Sequence, residues 1–368
     1  MLYYLADFLA SCFGPFRLLK SHVVLLALGT FFAALVSAFV LPKFWHLLPR
    51  DRGKAICRDT GGELSAGKPT GAGIIVSLAI FPVIAFFAPL QFWDLMCVIA
   101  FYGAMLAGFF DDRADVPWGR KKKFLFDTMI SVLISCFIFL GHSDCSEQCG
   151  RTMLVWMPFM KGVWNIPFYV YIPITSLIIL FTLNATNCSD GVDALAGTLT
   201  LISMVMLAVL LYVVVGYRPV AHYFLIPCYA EAARWAIVVM IITGGFGGYL
   251  WFNAEPSRIL MGDAGSRYLG VATATASLMT GNMFMIVALA PVVLVNGGGG
   301  LVKILFLIAA KKFKFKLSDK SFFNSIRFPL HDHCRKKFGW SNAQVLMRFV
   351  LLQLVFMPIL LIILIKVR

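Results

Sequence analysis

The sequence predicts an all-α polytopic membrane protein of about ten transmembrane helices, with an interrupted ninth helix, both termini external and its polar, site-bearing loops cytoplasmic. Three observations carry this. The 368-residue chain is 60% hydrophobic, with a mean hydropathy of +0.85, whereas soluble domains hold about 45–50% apolar residues. The apolar residues gather in runs of about 20 with few charges, the length that crosses a bilayer as a helix. The lysines and arginines fall mainly into alternate loops, as orientation requires.

In chain order the runs begin near His22, Gly71, Trp93, Phe124, Pro167, Asp193, Arg234, Ser266, Met283 and Gln344. The ten-residue alternation of an outer-membrane barrel is absent. Residues 1–21 are apolar but lack a basic start and a small-residue cleavage site, so they are expected to form an interfacial helix rather than a leader. No fixed-period repeat is present, and residues 1–368 read as one domain. With ten spans, the odd-numbered loops share a side. They hold 21 of the 32 basic residues, which places them in the cytoplasm. The net charge of +14 is then an orientation signal, not a nucleic-acid surface.

Residues 311–343 form the longest cytoplasmic loop. It opens on "KKFKFKL", a basic and aromatic alternation suited to anionic headgroups. The ninth run contains "NGGGG" at 296–300. Each glycine costs a helix about 1 kcal/mol relative to alanine, so a break is expected there, with the second half lining a cleft. Of the nine cysteines, Cys145 and Cys149 fall in an external loop, where a local disulfide is chemically open.

The 18 acidic residues are few enough for their positions to inform. They group at cytoplasmic helix ends: Asp111, Asp112 and Asp115 in "GFFDDRADVPWG"; Asn184, Asn187, Asp190 and Asp193 in "NATNCSDGVDALAG"; Asn253, Glu255 and Asp263 in "FNAEPSRILMGDAGS"; and Asp332, between His331 and His333, in "FPLHDHCRKKFGW". Each group has an ordinary explanation as turn or cap chemistry. Their gathering on one membrane face beside surplus lysine suits a phosphate-and-metal site. Magnesium takes oxygen ligands, often one or two carboxylates plus substrate phosphates, and lysine or arginine neutralises the remaining charge. No Gly-x-x-x-x-Gly-Lys-Ser/Thr loop is present, which excludes that class of ATP-driven pump. A coupled transporter would carry ionisable groups near mid-membrane. There Lys303 is the notable exception in otherwise apolar runs, so chemistry at the inner surface is favoured over passage.

These motifs, with "PLHDHCRKKFGWSNAQVLMRF", resemble the polyprenyl-phosphate N-acetylhexosamine-1-phosphate transferases over about Pro69 to Phe349. Pro329, His331, His333, Gly339, Trp340, Arg348 and Phe349 resemble the branch that makes the first lipid-linked peptidoglycan intermediate. The resemblance implies transfer of phospho-N-acetylmuramoyl-pentapeptide from its UDP form to undecaprenyl phosphate, with release of UMP, at a bacterial inner membrane. It also implies magnesium as cofactor and, by the same token, a homodimer. Two rival readings are a transferase for UDP-N-acetylglucosamine and a non-catalytic carrier of lipid-linked sugars. By resemblance, Asp111 and Asp112 are the paired catalytic aspartates, Asp263 binds magnesium, and His331 contacts phosphates. Asn184, Asn187, Asp190, Gly191, Val192, Asp193 and His333 line the substrate pocket. "GKPTGAG" adds Lys68 and Thr70 as phosphate or sugar contacts. The chain departs from the pattern at Asp332, where the family has histidine. It departs again at Leu260, where a phenylalanine often stacks on uracil, and at Ala194, where glycine is usual; Phe252 is a ring that could replace the first of these losses.

Overall fold

The structure, a computed structural model, describes residues 1–51, 66–114, 116, 118–146, 150–158, 160, 162–312 and 326–366. Among these, eight helices are long and apolar enough to cross a membrane. They include α2 (His22–Phe44), α4 (Phe92–Arg113), α5 (Arg120–His142), α6 (Phe168–Ser189), α7 (Leu195–Val209) continued by a π-helical stretch to Val215, α9 (Ala232–Asn253), which follows the short α8 (Arg218–Tyr223), and the C-terminal α15 (Asn342–Lys366). The other expected runs are also helical but shorter: α3 (Ala72–Phe87) has 16 residues and α10 (Gly262–Leu278) has 17. The N-terminal segment forms α1 (Leu2–Cys12), followed by a 3-10 stretch over Gly14–Lys20.

Helix α10 is the hub. Every residue from Asp263 to Leu278 is buried, within a ring of α3, α4, α6, α7 and α9. Close crossing makes this possible. A Cβ on Gly108 of α4 would stand 2.3 Å from the Asp263 carbonyl oxygen, closer than atoms can approach.

The ninth run is interrupted. Helix α11 (Met285–Leu289) stops at Ala290, α12 (Pro291–Val293) is a single turn, a π-helical stretch covers Leu294–Gly298, and α13 (Gly299–Lys312) follows. Backbone groups exposed by a break must find partners inside a membrane protein. Gln353 of α15 supplies them: its amide nitrogen donates to the Leu289 carbonyl at 2.6 Å, and its oxygen accepts the Val292 N–H at 3.1 Å. Ser203 of α7 adds a 2.8 Å bond to the same Leu289 carbonyl. At Gly297 a Cβ would lie 1.9 Å from the Ala185 carbonyl, so this glycine lets the broken segment sit directly on α6.

One feature is not all-α. Between α5 and α6, β1 (Asp144–Ser146), β2 (Gly150–Trp156) and β3 (Val163–Pro167) form an antiparallel sheet in the order β1-β2-β3. Trp156 ties it to the end of α10 through its N–H to Gly281 O, 3.0 Å, and its indole N–H to Thr280 O, 2.8 Å. Asp115, residues 313–325 of the loop expected at 311–343, and Cys149, and so the Cys145–Cys149 pair, fall outside the described residues.

Candidate active site

The polar helix ends meet at one end of the bundle. Asp111, in the last turn of α4, is 7% exposed. It accepts the Trp118 N–H at 2.7 Å and pairs with Lys123 of α5. The same Lys123 ammonium lies 3.5 Å from Asp263, at the start of α10. One cation therefore joins two carboxylates brought together by three helices. Asp112 accepts the Ala264 N–H at 3.3 Å. Behind this group, Arg267 lies one turn along α10, 3.9 Å from Asp263, and forms an ion pair with Asp127 of α5.

A short extended segment carries the site across to the next group. The Leu260 N–H donates to Pro69 O at 2.8 Å, and the Ala72 N–H to Leu260 O at 3.1 Å. This pairing fixes Lys68 and Thr70 beside the loop preceding Asp263. Lys68 then reaches Ser257 at 2.9 Å and Asp193 at 3.6 Å. Asn253 holds the α6–α7 loop by accepting the Ala194 N–H and donating to Ile259 O, both at 2.8 Å. Ala194 sits at φ +62, the left-handed backbone that glycine adopts without a Cβ penalty. Phe252 packs edge-on against Trp45, with ring centres 5.7 Å apart.

The third group is α14 (Leu330–Phe338). His331 is 2% exposed. Its backbone N–H and its Nδ1 both face the Asn296 side-chain oxygen, at 2.9 and 3.1 Å. The ring N–H therefore sits on Nδ1, and Nε2 carries the lone pair. Burial pushes the imidazole down to about 4, against an opposing pull from Asp332, so it is neutral at pH 7. Nε2 abuts Gly191, where a Cβ would stand 2.3 Å away. Asp332 is 7% exposed and lies 3.7 Å from His331 and 4.0 Å from Arg335.

The described positions thus run as one arc, from Asp111 through Lys123 and Asp263 to Asp112, Leu260, Thr70, Lys68, Asp193, Gly191 and His331. Asp190 and Asn187 are next to it, joined by a 3.2 Å backbone hydrogen bond. Three further expected residues have protein partners of their own. Asn184 donates to Leu180 O within its own helix at 2.9 Å. The Val192 side chain is buried among Leu195, Val293, Val345 and Phe349, leaving its backbone to the site. His333 accepts the Arg327 N–H at 3.2 Å and stands edge-on to Phe338 at 5.9 Å. The Gly-Trp and Arg-Phe pairs are structural here: Arg348 lies over the Trp340 ring at 4.1 Å, and Phe349 is buried.

Sequence reasoning misses Lys123, Asp127 and Arg267. Lys123 sits in the run Arg120–Lys123, which reads as an orientation signal. Asp127 and Arg267 sit inside apolar runs, and that is the signal: an acid and a base within membrane spans call for each other.

Among the described residues, no three His, Cys, Asp or Glu side chains stand close enough to hold a metal unaided. Asp111, Asp112 and Asp263 are oxygen donors, of which magnesium uses one or two when substrate phosphates complete its shell. The donor set fits an ion shared with a diphosphate and does not form a protein-only cage.

This is a polytopic membrane protein with an acidic and basic site at one end of its bundle, and its chain belongs to glycosyl transferase family 4, whose pattern it matches over residues 94–281. Its relatives are more particular. It is 37% identical over 348 residues to the phospho-N-acetylmuramoyl-pentapeptide-transferase of Treponema pallidum (strain Nichols), covering 94% of this chain and 91% of the relative. It is 29% identical over 352 residues to the protein of the same name from Borreliella afzelii (strain PKo), covering 92% and 95%. The family resemblance carried by the motifs is borne out.

Proposed function

We propose that the protein transfers phospho-N-acetylmuramoyl-pentapeptide from UDP-N-acetylmuramoyl-pentapeptide to undecaprenyl phosphate, releasing UMP, at the cytoplasmic face of a bacterial inner membrane. The observation that carries this reading is the single arc of acidic, basic and histidine side chains, in a chain whose full-length relatives bear that transferase name.

The reaction joins two anions: an oxygen of the carrier phosphate attacks the β-phosphorus of the UDP-sugar, and UMP departs. Lys123 is the cation placed to meet that charge, because it already serves Asp111 and Asp263 together. Asp111, fixed by the Trp118 N–H, orients the carrier phosphate or accepts its proton. Asp263 would hold magnesium, whose chemistry is to screen phosphate repulsion and stabilise the leaving UMP. Lys68 and Asp193 bind the nucleotide-sugar side, where the Gly191–Val192 backbone approaches the base. Neutral His331, its Nε2 against Gly191, supports that backbone at the far end of the arc.

The test is UMP release in liposomes containing undecaprenyl phosphate and magnesium. Turnover is expected with UDP-N-acetylmuramoyl-pentapeptide, and turnover of UDP-N-acetylglucosamine alone would overturn the reading. Asp263→Ala is expected to lose at least about a hundredfold in rate; unchanged magnesium-dependent release would remove Asp263 from the metal.

A further inference from the structure

The end of the bundle opposite the aspartate arc carries an open cleft with both polar and apolar walls. Its walls come from the start of α1, the start of α2, the α3–α4 turn and the start of α9. The cleft is open on one side, has a volume of about 280 Å³ and is lined by Tyr3, Tyr4, His22, Pro89, Ala230, Glu231 and Arg234. None of these residues belongs to the aspartate arc.

The walls divide by chemistry. Tyr3 and Tyr4 stand at 90° with ring centres 5.5 Å apart, and His22 stacks behind Tyr3 at 5.6 Å. Two perpendicular rings make a corner that attracts a cation to its faces. Facing it, the Glu231 carboxylate is held at 3.2 Å from His142 and 2.6 Å from Arg234. The hydrogen bond from His142, reinforced by the charge of Arg234, holds Glu231 below the usual carboxylate range, so it is an anion at neutral pH. Arg234 is 15% exposed and brings a fork of five N–H donors matched to phosphate oxygens.

The surroundings are those of a membrane surface. Tyr4, Phe8, Phe13 and Leu18 of the N-terminal segment are all more than half exposed. Apolar side chains displayed on a short helix beside helix ends are suited to the headgroup boundary of a bilayer.

We propose that this cavity binds the headgroup of a zwitterionic phospholipid, its phosphate on Arg234 and its ammonium in the corner of Tyr3, Tyr4 and Glu231, with the acyl chains leaving along α1. A free phosphate or an anionic headgroup satisfies only half of the site.

The experiment is native mass spectrometry of the full-length protein, extracted from nanodiscs of phosphatidylethanolamine, phosphatidylcholine or phosphatidylglycerol. One tightly retained phosphatidylethanolamine or phosphatidylcholine per chain is expected, at least about tenfold tighter than phosphatidylglycerol and not displaced by millimolar inorganic phosphate. Arg234→Gln is expected to abolish the difference. Because Arg234 also supports Glu231, Tyr4→Ala provides an independent variant: Tyr4 is 65% exposed, and its truncation is expected to weaken retention with transfer activity unchanged. Equal retention of all three lipids, or retention indifferent to both substitutions, would overturn the proposal.

Discussion

Arg267 of α10 and Asp127 of α5 form an ion pair inside the bundle, with side chains 3% and 1% exposed. Their partnership links the two helices that carry Asp263 and Lys123. Losing one partner of a buried pair leaves a bare charge and costs about 3–5 kcal/mol, whereas replacing both by apolar groups is often near neutral. Arg267→Leu is therefore expected to lower the thermal midpoint in detergent sharply, and Asp127→Leu/Arg267→Leu to restore most of it. Activity should not return with stability, because Asp263 still lacks the guanidinium 3.9 Å away.

His331 gives a pH signature. Its folded-state value near 4 lies below the ordinary value of about 6.5. Between these limits the unfolded chain binds a proton that the folded chain refuses. Stability should accordingly fall as pH drops from about 6.5 toward 4 and level off below. Chemical denaturation of His331→Gln across that interval should show a shallower slope than the parent; an identical slope would contradict a buried neutral ring.

Gly191→Ala tests the same contact from the other side. With a Cβ placed 2.3 Å from Nε2, the ring must move off Asn296. Transfer is expected to fall about ten- to a hundredfold with little change in melting temperature.

Ala194 offers a contrast within one loop. At φ +62 an alanine carries about 1–2 kcal/mol of backbone strain that glycine avoids. Ala194→Gly is expected to be neutral or stabilising, while Ala196→Gly, buried in α7, should cost about 1 kcal/mol. Urea midpoints of the two variants will separate them.

Gln353 satisfies both sides of the break in the ninth run, at Leu289 and Val292. Gln353→Leu leaves the Val292 N–H without this partner, at about 1–3 kcal/mol, and the Leu289 carbonyl with Ser203 alone. Faster amide exchange across residues 289–294 is the expected readout.

The sequence makes the arc legible where polarity contrasts with apolar surroundings. Asp111, Asp193 and Asp263 stand out at helix ends, and the "NGGGG" run announces the broken ninth helix. Lys68 is placed by its motif, and the structure gives it partners in Ser257 and Asp193. What the sequence hides is pairing at a distance. Lys123 looks like its neighbours until α5 packs beside α4 and brings it to Asp263, and Asp127 finds Arg267 only across a sequence separation of 140 residues. The three-stranded sheet is equally hidden, since "GRTMLVW" is too short for alternation to stand out against such an apolar chain. Among the described residues Lys303 spends its charge locally, donating to Ile326 O at 2.9 Å.

The wrapping of α10 on all sides has a consequence for how the protein is made. The helix needs no apolar coat, and it carries Ser266, Arg267, Thr273, Thr275 and Ser277 where lipid would tolerate few of them. An arginine costs insertion about 2.5–3.5 kcal/mol at the centre of a spanning helix, and Arg267, in the second turn of α10, bears part of that cost. A 17-residue helix of this composition is poorly equipped to leave the translocon alone. It is instead expected to enter the bilayer in company, after α4, α5, α6 and α9 have assembled a slot with Asp127 waiting in its wall. Biogenesis would then have an order, in which the segment that brings Asp263 is admitted only by helices already in place.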